Sequence, residues 1–132
     1  MKTSIKITFI LIFLIFIKAS SQINDTLAYV KSFEANKTQY LGQPFSKLLN
    51  EMVQLQPKTL WSTNTRYSTL NFCNKENSFN LGTINMIIYW QLPISELETE
   101  YYENKNHFYF TTDERNFYGS KIVKDIYVYT TK

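Results

Sequence analysis

Cysteine and histidine are nearly missing, since the 132 residues hold one of each, Cys73 and His107. A lone cysteine excludes an intrachain disulfide, and structural zinc, which takes four thiolate or imidazole ligands, has no ligand set to draw on. Cys73 is left as a buried small hydrophobe, an exposed thiol or an intermolecular link. A Cys73–His107 nucleophilic dyad has nothing but elimination behind it. Glycine and proline number three each, and there is no Gly-rich phosphate loop, no G-x-S-x-G elbow and no H-E-x-x-H. What remains is 44% apolar, 17% aromatic and 19% charged, a balance that suits one folded globular domain rather than wholesale disorder or a coiled-coil rod.

Residues 1–21 read as a signal peptide. Lys2 and Lys6 form a basic start, Ile7 to Ile17 an apolar run of eleven broken only by Thr8, and Ala19-Ser20-Ser21 the small residues ahead of a cut before Gln22. Eleven helical residues span about 17 Å, short of the ~30 Å hydrocarbon core, so an uncleaved anchor is the weaker alternative. No cysteine stands at the cut for a lipoprotein. Lys2, Lys6 and Lys18 carry the whole charge excess of +3, so residues 22–132 balance bases and acids at eleven each. The alkaline isoelectric point therefore gives no reason to expect nucleic acid.

The 22–132 domain opens with two amphipathic stretches. Asp25 is placed to cap a helix over about 26–37 whose Leu27, Tyr29, Val30 and Phe33 share one arc, and Pro44 starts a second helix carrying Phe45, Leu48, Leu49 and Met52. From about residue 59 the period becomes two. Strands are expected at 59–63, 68–73, 83–92, 107–112 and 121–130, with 74–77 and 113–116 as turns. Ser95-Glu96-Leu97-Glu98 fits a capping box for a short helical insertion near 95–103, held to the sheet by Leu97 and Tyr101. The fold class is α+β: two N-terminal helices packed on an antiparallel sheet of four to five strands.

The run Tyr40-Leu41-Gly42-Gln43-Pro44-Phe45-Ser46-Lys47-Leu48-Leu49, with the later Tyr118-Gly119-Ser120-Lys121-Ile122-Val123-Lys124-Asp125-Ile126, resembles a group of small exported proteins of Bacteroidota. That resemblance implies export and assigns nothing catalytic. Asp25-Thr26-Leu27 is similar to an O-glycosylation signal of such proteins, although helix capping explains it too. The element order is similar to β-lactamase-inhibitor-like domains, which implies binding and assembly roles. Physically, Gly42 permits a turn, Gly119 does the same before the last strand, and Phe45 and Leu48 face the core.

Alternation places Tyr89, Tyr109, Tyr127 and Tyr129 on the sheet face opposite Ile84, Met86, Ile88, Phe108, Phe110, Ile126 and Val128. They are either good strand formers or a binding patch. Trp90 belongs to the core, whereas Trp61, flanked by Thr59 and Thr63, is more open. Glu96, Glu98, Glu100 and Glu103 are a cation or basic-partner site or a solvated helix start. Glu76, Asp113, Glu114 and Asp125 are the carboxylates from which a glycosidase pair would have to come. The expectation is an exported, non-enzymatic binding module of inhibitor or immunity type. It would act in the periplasm or outside the cell on another protein or envelope component, without cofactor, metal or membrane embedding. A carbohydrate-binding module using exposed aromatics and a small envelope hydrolase using His107 or carboxylates are the alternatives.

Overall fold

The computed structural model describes residues 25–132; the expected signal peptide lies outside them. Helix α1, Thr26–Ala35, begins where the Asp25 carboxylate accepts the Ala28 N–H at 3.0 Å. It buries Val30 and Phe33, while Leu27, expected on the same arc, is exposed. A 3-10 turn at Lys37–Gln39 and Gly42 at φ +74° lead into α2, Phe45–Glu51. Pro44 stands one position ahead of its expected place: it is the N-cap, extended at ψ 140°. The extended backbone lets the motif segment clasp the chain where the last strand begins. Gly42 N–H donates to Val123 O at 2.8 Å, Val123 N–H to Gln43 O at 3.0 Å, and Phe45 N–H to Lys121 O at 2.9 Å.

Four strands form an antiparallel meander in chain order: β1 Thr59–Asn64, β2 Tyr67–Asn71, β3 Ile84–Trp90 and β4 Val123–Thr130. Leu60, Leu70, Met86 and Val128 make one continuous cross-strand row, and Ser68, Ile88 and Ile126 the next. These side chains are buried, as the period of two requires of a sheet with one covered face. The cover is shared more widely than expected. The connection from β3 to β4 contains α3, Glu96–Asn106, and α4, Thr112–Gly119. Helix α1 packs on β4, α2 on α4, and α3 on β1. Trp90 sits in the core, edge-on to Phe45 at 5.4 Å and stacked on Tyr118 at 5.8 Å.

Residues 107–112 are not a fifth strand, and 113–116 are not a turn. His107 and Phe108 take φ of 54° and 68°, a left-handed pair that ends α3 and reverses the chain. Thr111 then caps α4: its hydroxyl accepts the Asp113 N–H at 3.1 Å while Glu114 accepts the Thr111 N–H at 2.8 Å. That reciprocal box satisfies two orphan donors and commits 112–119 to helix. At Ser95 the same spacing yields no side-chain cap bond, and Leu97 and Tyr101 point to solvent, leaving the buried Thr99 on the inner side of α3. Gly119 lies in the last turn of α4 rather than in a left-handed turn, where an added Cβ would lie 3.5 Å from Ser46 Cβ of α2.

Two stability outcomes follow. Ile88→Ala removes a fully buried side chain from the core row and should cost about 2 to 5 kcal/mol by denaturant titration, far more than Tyr127→Ala on the open face. His107 is exposed and left-handed at the end of α3, so His107→Gly should raise stability by about 1 kcal/mol, read as a higher melting temperature.

Candidate functional site

The sheet's second face divides into two halves. At one end, Thr59, Asn71 and Asn85 are buried although polar. Each finds partners: Asn71 donates to Asn85 Oδ1 at 2.6 Å, Asn85 to Thr131 Oγ1 at 3.0 Å, and Thr59 meets Ser78 at 3.3 Å. The β2–β3 connection, residues 72–83, folds over this end and turns back at Gly82, φ +78°. Its Phe79 lies edge-on to Trp61 at 4.8 Å, and Phe108 stacks on the same indole at 4.1 Å and 19°. Trp61, expected to be the more open of the two indoles and a partner contact, is half-buried. Its ring is occupied by the protein's own aromatics, and its Nε1–H is buried without an acceptor among the described residues.

The β4 side of this face is open. Tyr127, at the far end of the cross-strand row that starts at Trp61, is 50% exposed, and Tyr129, opposite the buried Asn85, stands beside it with ring centroids 5.8 Å apart at 21°. Cross-strand, Tyr127 neighbours the half-buried Ile87, and Tyr89 neighbours Tyr67 on one side and Asp125 on the other. Lys31 of α1 reaches over the Tyr127 ring at 5.7 Å. Tyr109 does not join this group. It is 41% exposed but lies outside β1, bridged to Thr59, at the sheet edge away from β4. Tyr67, which the strand boundary placed at 68 had missed, takes its place beside Tyr89. Its signal was available, because Leu70 facing inward puts residues 67 and 69 outward.

At the turn joining β1 to β2, this face ends in an open cleft of about 540 Å³ lined by Asn64, Arg66, Tyr67, Tyr89, Gln91 and Lys124. The Tyr67 and Tyr89 rings are 5.5 Å apart and tilted by 50°. Arg66 and Lys124 are exposed, and the ion pairs among the described residues, Lys31–Glu34, Lys37–Asp125 and Lys105–Asp113, involve neither.

The carboxylates weighed for catalysis are engaged elsewhere. Asp113 is held at 2.9 Å by Lys105, which keeps its carboxyl below the usual range. Glu114 is buried in its capping box, Asp125 is bonded to Lys37 at 2.6 Å, and Glu76 stands on the β2–β3 connection. Glu96, Glu98 and Glu100 are exposed along α3. Among the described residues no group of three or more His, Cys, Asp or Glu is arranged to hold a metal ion, and no helix is long and apolar enough to cross a membrane. Cys73 is a half-buried free thiol beside Thr26, Phe72, Gly82, Thr83 and Ile84, a group that does not include His107. Comparisons of the chain with protein-family models, with curated proteins and with solved structures return no match in any of the three.

Glu103 of α3 is tied into the sheet through the Ser62 N–H at 2.6 Å. Behind it, Ser62 meets Tyr118 and Ser68, and Ser68 accepts the Trp90 Nε1–H at 3.0 Å. Burial pushes the Glu103 carboxyl above its ordinary 4.5, the Ser62 N–H opposes that, and Glu100 adds to it. The folded chain thus holds this proton more tightly than the unfolded one, so its contribution to stability falls as pH rises from 4.5 through the raised value. Glu103→Gln keeps the acceptor and removes the titration. Melts across that window should show a flatter pH profile for the variant, with the gap in its favour growing toward neutrality.

Proposed function

We propose that this protein is an exported, non-enzymatic module that binds another protein through the open half of its second sheet face, with inhibitor or immunity-type protection as its most concrete form. Tyr127, Tyr129, Tyr89 and the intervening Ile87 form the contact surface. The observation that carries this reading is the exposure of Tyr127 beside Tyr129 on a sheet whose other face is filled by helices and whose edges are partly bonded from within. Tyrosines concentrate interface energy because they present large area with few rotamers to freeze. A flat platform for neutral sugar has less behind it, since the half-buried Trp61 ring is already flanked by Phe79 and Phe108 and Tyr109 lies elsewhere.

The test is capture from the envelope fraction of the producing cell, followed by affinity measurement on the purified pair. Tyr127→Ala and Tyr129→Ala should each weaken binding by roughly five- to a hundredfold, with melting temperatures close to the parent. Failure to capture any partner under several growth conditions, or full affinity in the double variant, overturns the reading.

A further inference from the structure

The cleft at the β1–β2 turn has a chemistry that the protein-binding surface does not use. Tyr89 borders both surfaces, but Tyr127 and Tyr129 do not line the cleft, and no carboxylate does. The nearest one in sequence, Asp125, is committed to Lys37 at 2.6 Å and to the Ile126 N–H at 2.8 Å. Arg66 and Lys124 therefore bring two positive charges to one concavity with no carboxylate in its lining. Two exposed cations beside an aromatic trough attract an anion, and a guanidinium can hold carboxylate or phosphate through two parallel bonds. The volume, about 540 Å³, falls in the range of small-ligand sites.

The remaining lining narrows the class. Tyr67 and Tyr89, tilted by 50°, form a V-shaped trough rather than a parallel slot, which suits a puckered ring with C–H faces better than a planar base. Asn64 and Gln91 offer side-chain amides, which both donate and accept as hydroxyl groups require. Asn64 Oδ1 already accepts the Arg66 N–H at 2.8 Å, which fixes the turn and leaves the amide N–H₂ for a ligand. A peptide adding as a strand along β4 would meet an edge whose outward Ile126 and Val128 N–H groups are already taken.

We infer that this cleft binds an acidic sugar: a pyranose whose carboxylate or phosphate lies between Arg66 and Lys124, whose ring rests on Tyr67 and Tyr89, and whose hydroxyls meet Asn64 and Gln91. The experiment is an amide-resolved NMR titration of the whole protein with digalacturonate, glucose 6-phosphate, neutral digalactose, inorganic phosphate and a tetraglutamate peptide. One or both acidic sugars should shift Arg66, Tyr67, Tyr89 and Lys124, and which of the two binds tells carboxylate from phosphate. Neutral digalactose and inorganic phosphate should each bind at least about tenfold more weakly, the worth of one charge-assisted hydrogen bond. Arg66→Gln with Lys124→Gln should lose about tenfold or more, whereas Lys58→Gln, an exposed charge outside the cleft, should lose nothing. Tyr67→Leu, which spares the protein-contact tyrosines, should erase the preference for acidic sugar over bare phosphate. The inference is overturned if neither acidic sugar causes shifts at about 10 mM, if inorganic phosphate or the peptide binds as tightly as the sugars, or if the double variant retains affinity with its fold intact. Because Tyr127, Tyr129 and Tyr89 are all left in place, these outcomes leave the protein-binding reading to its own test.

Discussion

A four-stranded meander has two edges, and in this protein several of the outward backbone groups of both are engaged from within. Along β1, Leu60 N–H donates to Phe108 O at 2.9 Å, Phe110 N–H donates to Lys58 O at 2.8 Å, and Glu103 takes the Ser62 N–H. Along β4, Val128 N–H donates to Glu34 Oε1 at 3.1 Å, Lys31 Nζ donates to Val128 O, and Asp125 takes the Ile126 N–H. Open edges are templates for unwanted pairing, and charged side chains turned onto the ladder remove that hazard. The positions of α1 and α3 follow from this: each must run where its carboxylate reaches a strand N–H. Recognition then falls to the faces, and the helices fill one of them.

Much of this was legible in the residues, because burial on one face imposes a period that sequence records directly. The alternation Ile84, Met86, Ile88, Trp90 against Ile87 and Tyr89 gave β3 and its inner face, and Ile126 and Val128 against Tyr127 and Tyr129 gave β4. The segment 107–112 misled because His107-Phe108-Tyr109-Phe110 also alternates. The Thr111–Glu114 capping spacing outweighs it, since the box fixes two backbone donors at once. At Ser95 the same spacing formed no cap bond. A motif of two residues specifies geometry only where the backbone around it cooperates.

The candidate sites were legible to the same extent. Which tyrosines share a face depends on local alternation, so Tyr89, Tyr127 and Tyr129 were visible, whereas Tyr109 required the sheet to continue where the chain in fact turns left-handed. Which residues meet across strands depends on register, and register is not written in any one segment. Tyr67 opposite Tyr89, and Arg66 near Lys124, arise only once β2, β3 and β4 are paired. The partial burial of Trp61 depends on a twelve-residue connection, 72–83, folding over one end of the face, a tertiary event with no periodic signature.

The clamp between Lys31, Glu34 and Val128 joins the first helix to the last strand, across a separation of 97 residues for the lysine bond. The Gly42–Phe45 segment is likewise bonded to Lys121–Val123, where that strand begins. Neither the opening helix nor the segment after it can reach its final bonds until the C-terminal strand has been made. The chain therefore cannot finish folding from its N-terminus during synthesis, and contacts of this sequence separation make the closing step slow relative to local helix formation. A polypeptide built this way leaves its N-terminal helix and clasp without their sheet bonds until β4 is available.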